Sequence, residues 1–75
     1  MNYELKAERT RQGKSTRYMA EVIGKSRESY YKKECGDVPF LDREILAIQN
    51  DLQLPPDKFN LVFFGGSLLF GNNLK

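Results

Sequence analysis

Residues 15–36 hold the side chains whose types and spacing could do chemistry. Thr16 and Arg17 follow Ser15, then come Lys25, Ser26, Arg27, Glu28 and Ser29, and then Tyr31 and Lys32. Guanidinium, ammonium and hydroxyl groups donate hydrogen bonds to phosphate oxygens, and a planar guanidinium can also fork two bonds onto a base edge. The set suits binding a polyanion better than breaking a bond. Catalytic chemistry has little to draw on, because the chain has no His and one cysteine, Cys35. The usual general base and metal ligand are therefore missing. CxxC, HExxH and a phosphate-cradling glycine loop are absent too. We expect no enzyme activity, cofactor, metal ion or small-molecule substrate. Cys35 reads as a small filler near a helix end, and a lone cysteine fits a reducing compartment such as a cytoplasm.

Charge distribution points the same way. The first 36 residues carry nine Lys or Arg against five Glu, while the rest of the 75-residue chain carries three against five acids. A basic half joined to an acidic half predicts an oriented electrostatic partner, with a polyphosphate the obvious one. Residues 1–12 are polar, unlike a secretory signal. The apolar run 61–64 is far short of the roughly 20 residues a membrane span needs, so no membrane partner is expected.

The elements that must position these residues can be placed from caps and breakers. A first helix is expected over residues 3–12, capped by Asn2, with Glu4 and Arg11 matching its dipole and Gly13 ending it. Ser15 caps a second helix over 16–23, in which Met19, Val22 and Ile23 share a face. Gly24 supplies the turn. Ser26 caps a third helix, residues 27–35, ended by Gly36. Two helices this short, joined by a glycine turn, form a helix-turn-helix, whose second member can lie in the major groove of DNA. A fourth helix begins near residue 41 or 42, with Leu41, Ile45, Ile48 and Leu52 as one apolar stripe. Leu54-Pro55-Pro56 breaks it, and Pro56 starts a fifth helix with Phe59, Val62 and Phe63 on one face. Residues 65–75 read either as a hairpin strand with 61–64, or as a Gly65 cap and an extended apolar arm; we favour the arm. The expectation is an all-α, compact five-helix domain over residues 1–64, with the helix-turn-helix at its second and third helices and a short arm after it.

Placed in this order, the motifs over residues 3–64 resemble the Cro/C1-type helix-turn-helix family of phage and bacterial repressors. Leu5 and Arg9 stand four apart in the first helix, and Gly13-Lys14-Ser15 opens the second. Met19-Ala20 and Ile23-Gly24 follow, then Ser26-Arg27, Glu34-Cys35-Gly36 and Pro56-Asp57-Lys58-Phe59. The resemblance implies a lambda-repressor-like fold and a DNA-binding transcriptional regulator. It also implies an ion pair between Arg9 and Glu34 that orients the first helix against the third. Lys33 departs from the pattern: the family usually has an apolar core residue there. We expect its stem to pack and its ammonium to snorkel into water.

The resemblance further implies that Arg27, Glu28 and Lys32 face base edges. Arg can fork onto guanine and Glu can accept from cytosine, so part of the half-site should be G·C. Thr16, Arg17, Lys25, Ser26, Ser29 and Tyr31 are the candidates for phosphate contact. Arg11 and Lys14 read as solvated charges, with Lys14 in reach of a flanking phosphate. The implied partner is a double-stranded DNA operator bound by a homodimer, with Leu61, Phe64, Leu68, Leu69 and Phe70 as candidate dimer contacts. A rival reading keeps the fold but binds a polypeptide, as an antitoxin or anti-repressor would.

Overall fold

Three of the five helices begin where a cap side chain accepts from a free amide of the first turn. In the computed structural model, which describes residues 1–65, Asn2 Oδ1 accepts from the Leu5 amide at 3.0 Å, Ser15 Oγ from Tyr18 at 3.0 Å and Ser26 Oγ from Ser29 at 3.1 Å. These caps open α1 (Tyr3–Arg11), α2 (Thr16–Ile23) and α3 (Arg27–Cys35). α4 (Asp42–Leu52) starts differently: Glu44, in its first turn, reaches back to accept from the Leu41 amide at 2.9 Å. α5 (Pro56–Phe64) starts on Pro56, whose missing N–H costs nothing at that position.

The described residues are all helical, without a strand. Gly24 lies in the left-handed region at φ 71°, letting the Lys25 amide close back on the Ala20 carbonyl at 2.9 Å. That closure ends α2 and turns the chain directly into α3. α4 is ended by a non-glycine, Gln53, at φ 56°. Gly65 caps α5 at φ 59°. Residues 61–64 are thus helical, which rules out their serving as a hairpin strand. The expected arm lies outside the described residues.

α2 packs against α3 and α4, and α1 packs against α5. The core gathers Leu5, Met19, Ala20, Ile23, Tyr30, Ile48, Leu52, Leu54 and Val62. A chain of aromatic rings extends it from α3 to α5: Tyr30 meets Phe40 at 6.0 Å, and Phe40 meets Phe63 edge-on at 5.9 Å. Phe40 therefore plugs the loop before α4 into the core. The apolar stripe expected for α4 is shorter than its spacing implied. Leu41 is the N-cap and is 44% exposed, because its extended backbone leaves the helical register. Leu54, beyond the helix, is buried in its stead.

Asn2 ties three helices together. Besides capping α1, its side-chain Nδ2 donates to the Val62 carbonyl in α5 at 2.6 Å, and its backbone amide donates to the Glu34 carbonyl in α3 at 2.7 Å.

Candidate nucleic-acid interface

α3 divides cleanly into two sides. Tyr30, Lys33 and Glu34, at helical spacing, are buried, while Arg27, Glu28, Tyr31 and Lys32 are exposed. The three residues expected to read bases thus lie on the solvent-open part of the helix. Ser29 is half-buried, and Ser26 Oγ is committed as an acceptor to the α3 cap. On α2, Arg17 is exposed and Thr16 is half-buried; Lys25, in the turn, is exposed.

Ion pairing sorts the cations. Arg9, Arg11, Lys14, Lys33 and Lys58 each have a carboxylate partner. Arg17, Lys25, Arg27 and Lys32 have no such ion pair among the described residues, and neither do Lys6 and Arg43 elsewhere on the surface. Four cations from α2, the turn and α3 therefore face solvent with their donors available, on two helices that pack against each other. An unpaired surface cation keeps its full attraction for a polyanion, whereas a paired one must first give up its partner.

α3 is held from beneath by two ion pairs. Arg9 and Glu34 form a bidentate pair, Nε to Oε2 at 2.9 Å and Nη2 to Oε1 at 3.2 Å, with the Glu34 side chain fully buried. The remaining nitrogen, Arg9 Nη1, donates to the Lys14 carbonyl at 3.1 Å. The Tyr30 hydroxyl donates to Glu34 Oε2 at 3.1 Å. Burial would lower the Arg9 pKa, but the Glu34 carboxylate outweighs that and raises it, so the guanidinium is charged at every relevant pH. Burial, reinforced by the same carboxylate, pushes the Tyr30 phenol far above its ordinary value.

The second pair corrects the expectation for Lys33. Its ammonium does not snorkel: Nζ donates to both oxygens of Glu44, at 2.7 and 2.8 Å, and the Lys33 side chain is 7% exposed. Glu44 lies on α4 beneath α3, so the ammonium finds a buried partner closer than water. Burial works to raise the Glu44 carboxyl, yet the bonds from Lys33 and the Leu41 amide prevail and hold it below the ordinary range. A Lys where the pattern calls for a buried residue signals the need for an acid, without saying which one.

Lys14 is corrected as well. It donates to Asp51 Oδ2 at 2.8 Å and lies 5.3 Å from the centre of the Tyr18 ring, while the Tyr18 hydroxyl donates to the same carboxylate at 2.7 Å. Instead of standing free to meet a phosphate, it clamps the loop after α1 and the start of α2 to the end of α4. Arg11 is two-thirds exposed and pairs with Glu8, which also meets Lys58 of α5 at 3.2 Å.

Of the candidate dimer contacts, Leu61 and Phe64 are 43% and 40% exposed on α5, while Leu68, Leu69 and Phe70 lie outside the described residues. A cleft of about 430 Å³ lies beside Phe64, with Lys33 and Asp42 as well as Phe40, Ile45 and Val62 in its walls. Among the described residues no helix is long and apolar enough to cross a membrane. Comparison of the chain with protein-family models, with curated proteins and with solved structures gives no match.

Proposed function

We propose that this chain is a sequence-specific double-stranded DNA-binding transcriptional regulator, a repressor or Cro-like switch protein, belonging to the Cro/C1-type helix-turn-helix family. Its arrangement is then lambda-repressor-like: α2 lies across the DNA backbone and α3 enters the major groove. The observation that carries this reading is the solvent-open side of α3, where Arg27, Glu28 and Lys32 stand together above a buried face. Arg27 forks onto guanine O6 and N7, Glu28 accepts from cytosine N4, and Lys32 reaches guanine or a phosphate. Arg17, Lys25, Tyr31 and the hydroxyls of Thr16, Ser26 and Ser29 hold the phosphates and set register. One such domain makes few base contacts, so the working form is a homodimer on half-sites roughly 34 Å apart, with Leu61 and Phe64 in the interface.

Selection of bound sites from a pool of random duplexes tests the proposal. A two-fold symmetric motif with G·C pairs in each half-site is expected. Arg27→Ala should then cost about 1–3 kcal/mol on the selected site and relax preference at one base position. Failure to enrich any motif, together with affinity indifferent to salt, refutes the proposal and favours a polypeptide partner.

A further inference from the structure

We infer that Lys33 and Glu44 are positioning residues that fix how α3 is seated, and through that seating set its discrimination between operators. The inference rests on the DNA-reading proposal above. α3 reads Arg-Glu-Ser-Tyr-Tyr-Lys-Lys-Glu-Cys and contains no aliphatic side chain. Its buried face is Tyr30, Lys33 and Glu34. Aliphatic ridges, the usual means of seating a helix in a neighbour's grooves, are therefore unavailable to it, and Tyr30 is its buried apolar anchor.

Charge takes that place, from two directions. Lys33 and Glu34 are neighbours, so their side chains leave the helix about 100° apart. Glu34 is held by Arg9 of α1, with oxygen distances of 2.9 and 3.2 Å, and Lys33 is held by Glu44 of α4, with distances of 2.7 and 2.8 Å. Glu44 is itself fixed, because Oε1 also accepts from the Leu41 amide that opens α4. The two anchors bracket rotation of α3 about its axis. At roughly 6 Å from that axis, a rotation of about 10° moves a side-chain atom by about 1 Å. That displacement breaks a hydrogen bond, whose useful range is only a few tenths of an ångström. The same rotation on the opposite side would carry Arg27 and Lys32 out of register with base edges.

Stability does not explain the pair, since well-packed apolar residues generally replace a buried ion pair without loss. What apolar residues lack is direction. A methionine at position 33 could pack against α4 over a range of helix rotations, whereas the two-oxygen grip of the ammonium admits a narrow one.

The test is Lys33→Met/Glu44→Gln, which removes both charges at nearly constant volume and leaves an amide oxygen to accept from Leu41. Three quantities are measured: affinity for the selected site, affinity for an unrelated duplex, and the orientation of α3 relative to α1 and α4 from residual dipolar couplings without DNA. The expected result is unchanged affinity for the unrelated duplex, a specific-to-nonspecific ratio reduced about tenfold or more, and a reoriented or broadened α3. Lys33→Arg, which keeps the charge but moves its anchor, should lower the ratio in the same sense. If the wild type enriches a motif and both variants keep its ratio and its α3 orientation, the inference is overturned alone. A wild type that enriches nothing overturns the DNA reading and this inference with it.

Discussion

Replacing Arg9 with Met exposes the cost of the buried charge beneath α3. The Glu34 side chain is wholly inaccessible and that of Arg9 is 10% exposed, so the pair belongs to the buried class. After Arg9→Met, Glu34 would keep one hydrogen bond, from the Tyr30 hydroxyl, and no countercharge. Losing one partner of a buried pair costs about 3–5 kcal/mol, because an uncompensated charge stays behind. A domain of 75 residues has a total stability of about 4–11 kcal/mol, so this single change removes about a quarter of it or more. The triple variant Arg9→Met/Tyr30→Phe/Glu34→Leu removes the stranded carboxylate and hydroxyl together. It forfeits the bond from Arg9 Nη1 to the Lys14 carbonyl, worth about 1 kcal/mol, and should fall within about 2 kcal/mol of the wild type. Urea unfolding followed by far-ultraviolet circular dichroism measures both. For a protein this small the urea slope is about 1 kcal/mol per molar, so Arg9→Met should lower the midpoint by about 3–5 M, and the triple variant should recover most of that. The reasoning is refuted if Arg9→Met costs less than about 1 kcal/mol, the range of solvent-exposed pairs, or if the triple variant is no more stable than the single.

Acid should destabilise the fold in a defined window. The Arg11 hydrogen bond holds Glu8 below its ordinary value of 4.5, and Lys33 does the same for Glu44 and Lys14 for Asp51, in both cases against burial. Between the lowered folded values and the ordinary ones the unfolded chain binds more protons, so the urea midpoint should hold from neutral pH to about 4.5 and fall below it. In alkali the sign reverses: above 10.0 the unfolded chain loses the Tyr30 proton that the folded chain keeps, and stability falls as pH rises. A midpoint independent of pH at both ends would contradict these assignments. Arg17→Ala and Lys25→Ala should each weaken binding to all duplexes alike and reduce the log-log salt slope by about 0.9; a change confined to the selected site would instead make that residue a base reader. Ser26→Ala should cost about 1 kcal/mol of stability by removing the α3 cap, measurable as a lower midpoint, and an unchanged midpoint would mean water replaces the hydroxyl without penalty.

The caps and stops were legible residue by residue. Asn2, Ser15 and Ser26 open helices because a short polar side chain reaches an amide three residues on, a distance that helix geometry alone dictates. Gly24 and Pro56 are equally local, one supplying a positive φ and the other an amide-free first turn. The open side of α3, with Arg27, Glu28 and Lys32, was expected from a family resemblance, since its buried face of Tyr30, Lys33 and Glu34 has no apolar periodicity to read. Arg9 and Glu34 came from a resemblance of pattern, not from their spacing.

Partners across helices were not legible. Lys33 with Glu44, Lys14 with Asp51, and Asn2 with Val62 join positions 11, 37 and 60 residues apart. Spacing within a helix says nothing about such pairs, because they depend on the angles at which α1, α3, α4 and α5 meet. Leu41 shows the same limit in reverse: its spacing continues the α4 stripe, yet its backbone is extended and its side chain lies outside. Sequence alone determined where helices open on Asn2, Ser15 and Ser26 and where Gly24 and the Pro55-Pro56 pair interrupt them, since caps and breakers act within a turn or two of chain. Tertiary structure alone decided that Lys33 answers Glu44 and Lys14 answers Asp51, because that depends on atoms that only packing brings within 3 Å of one another.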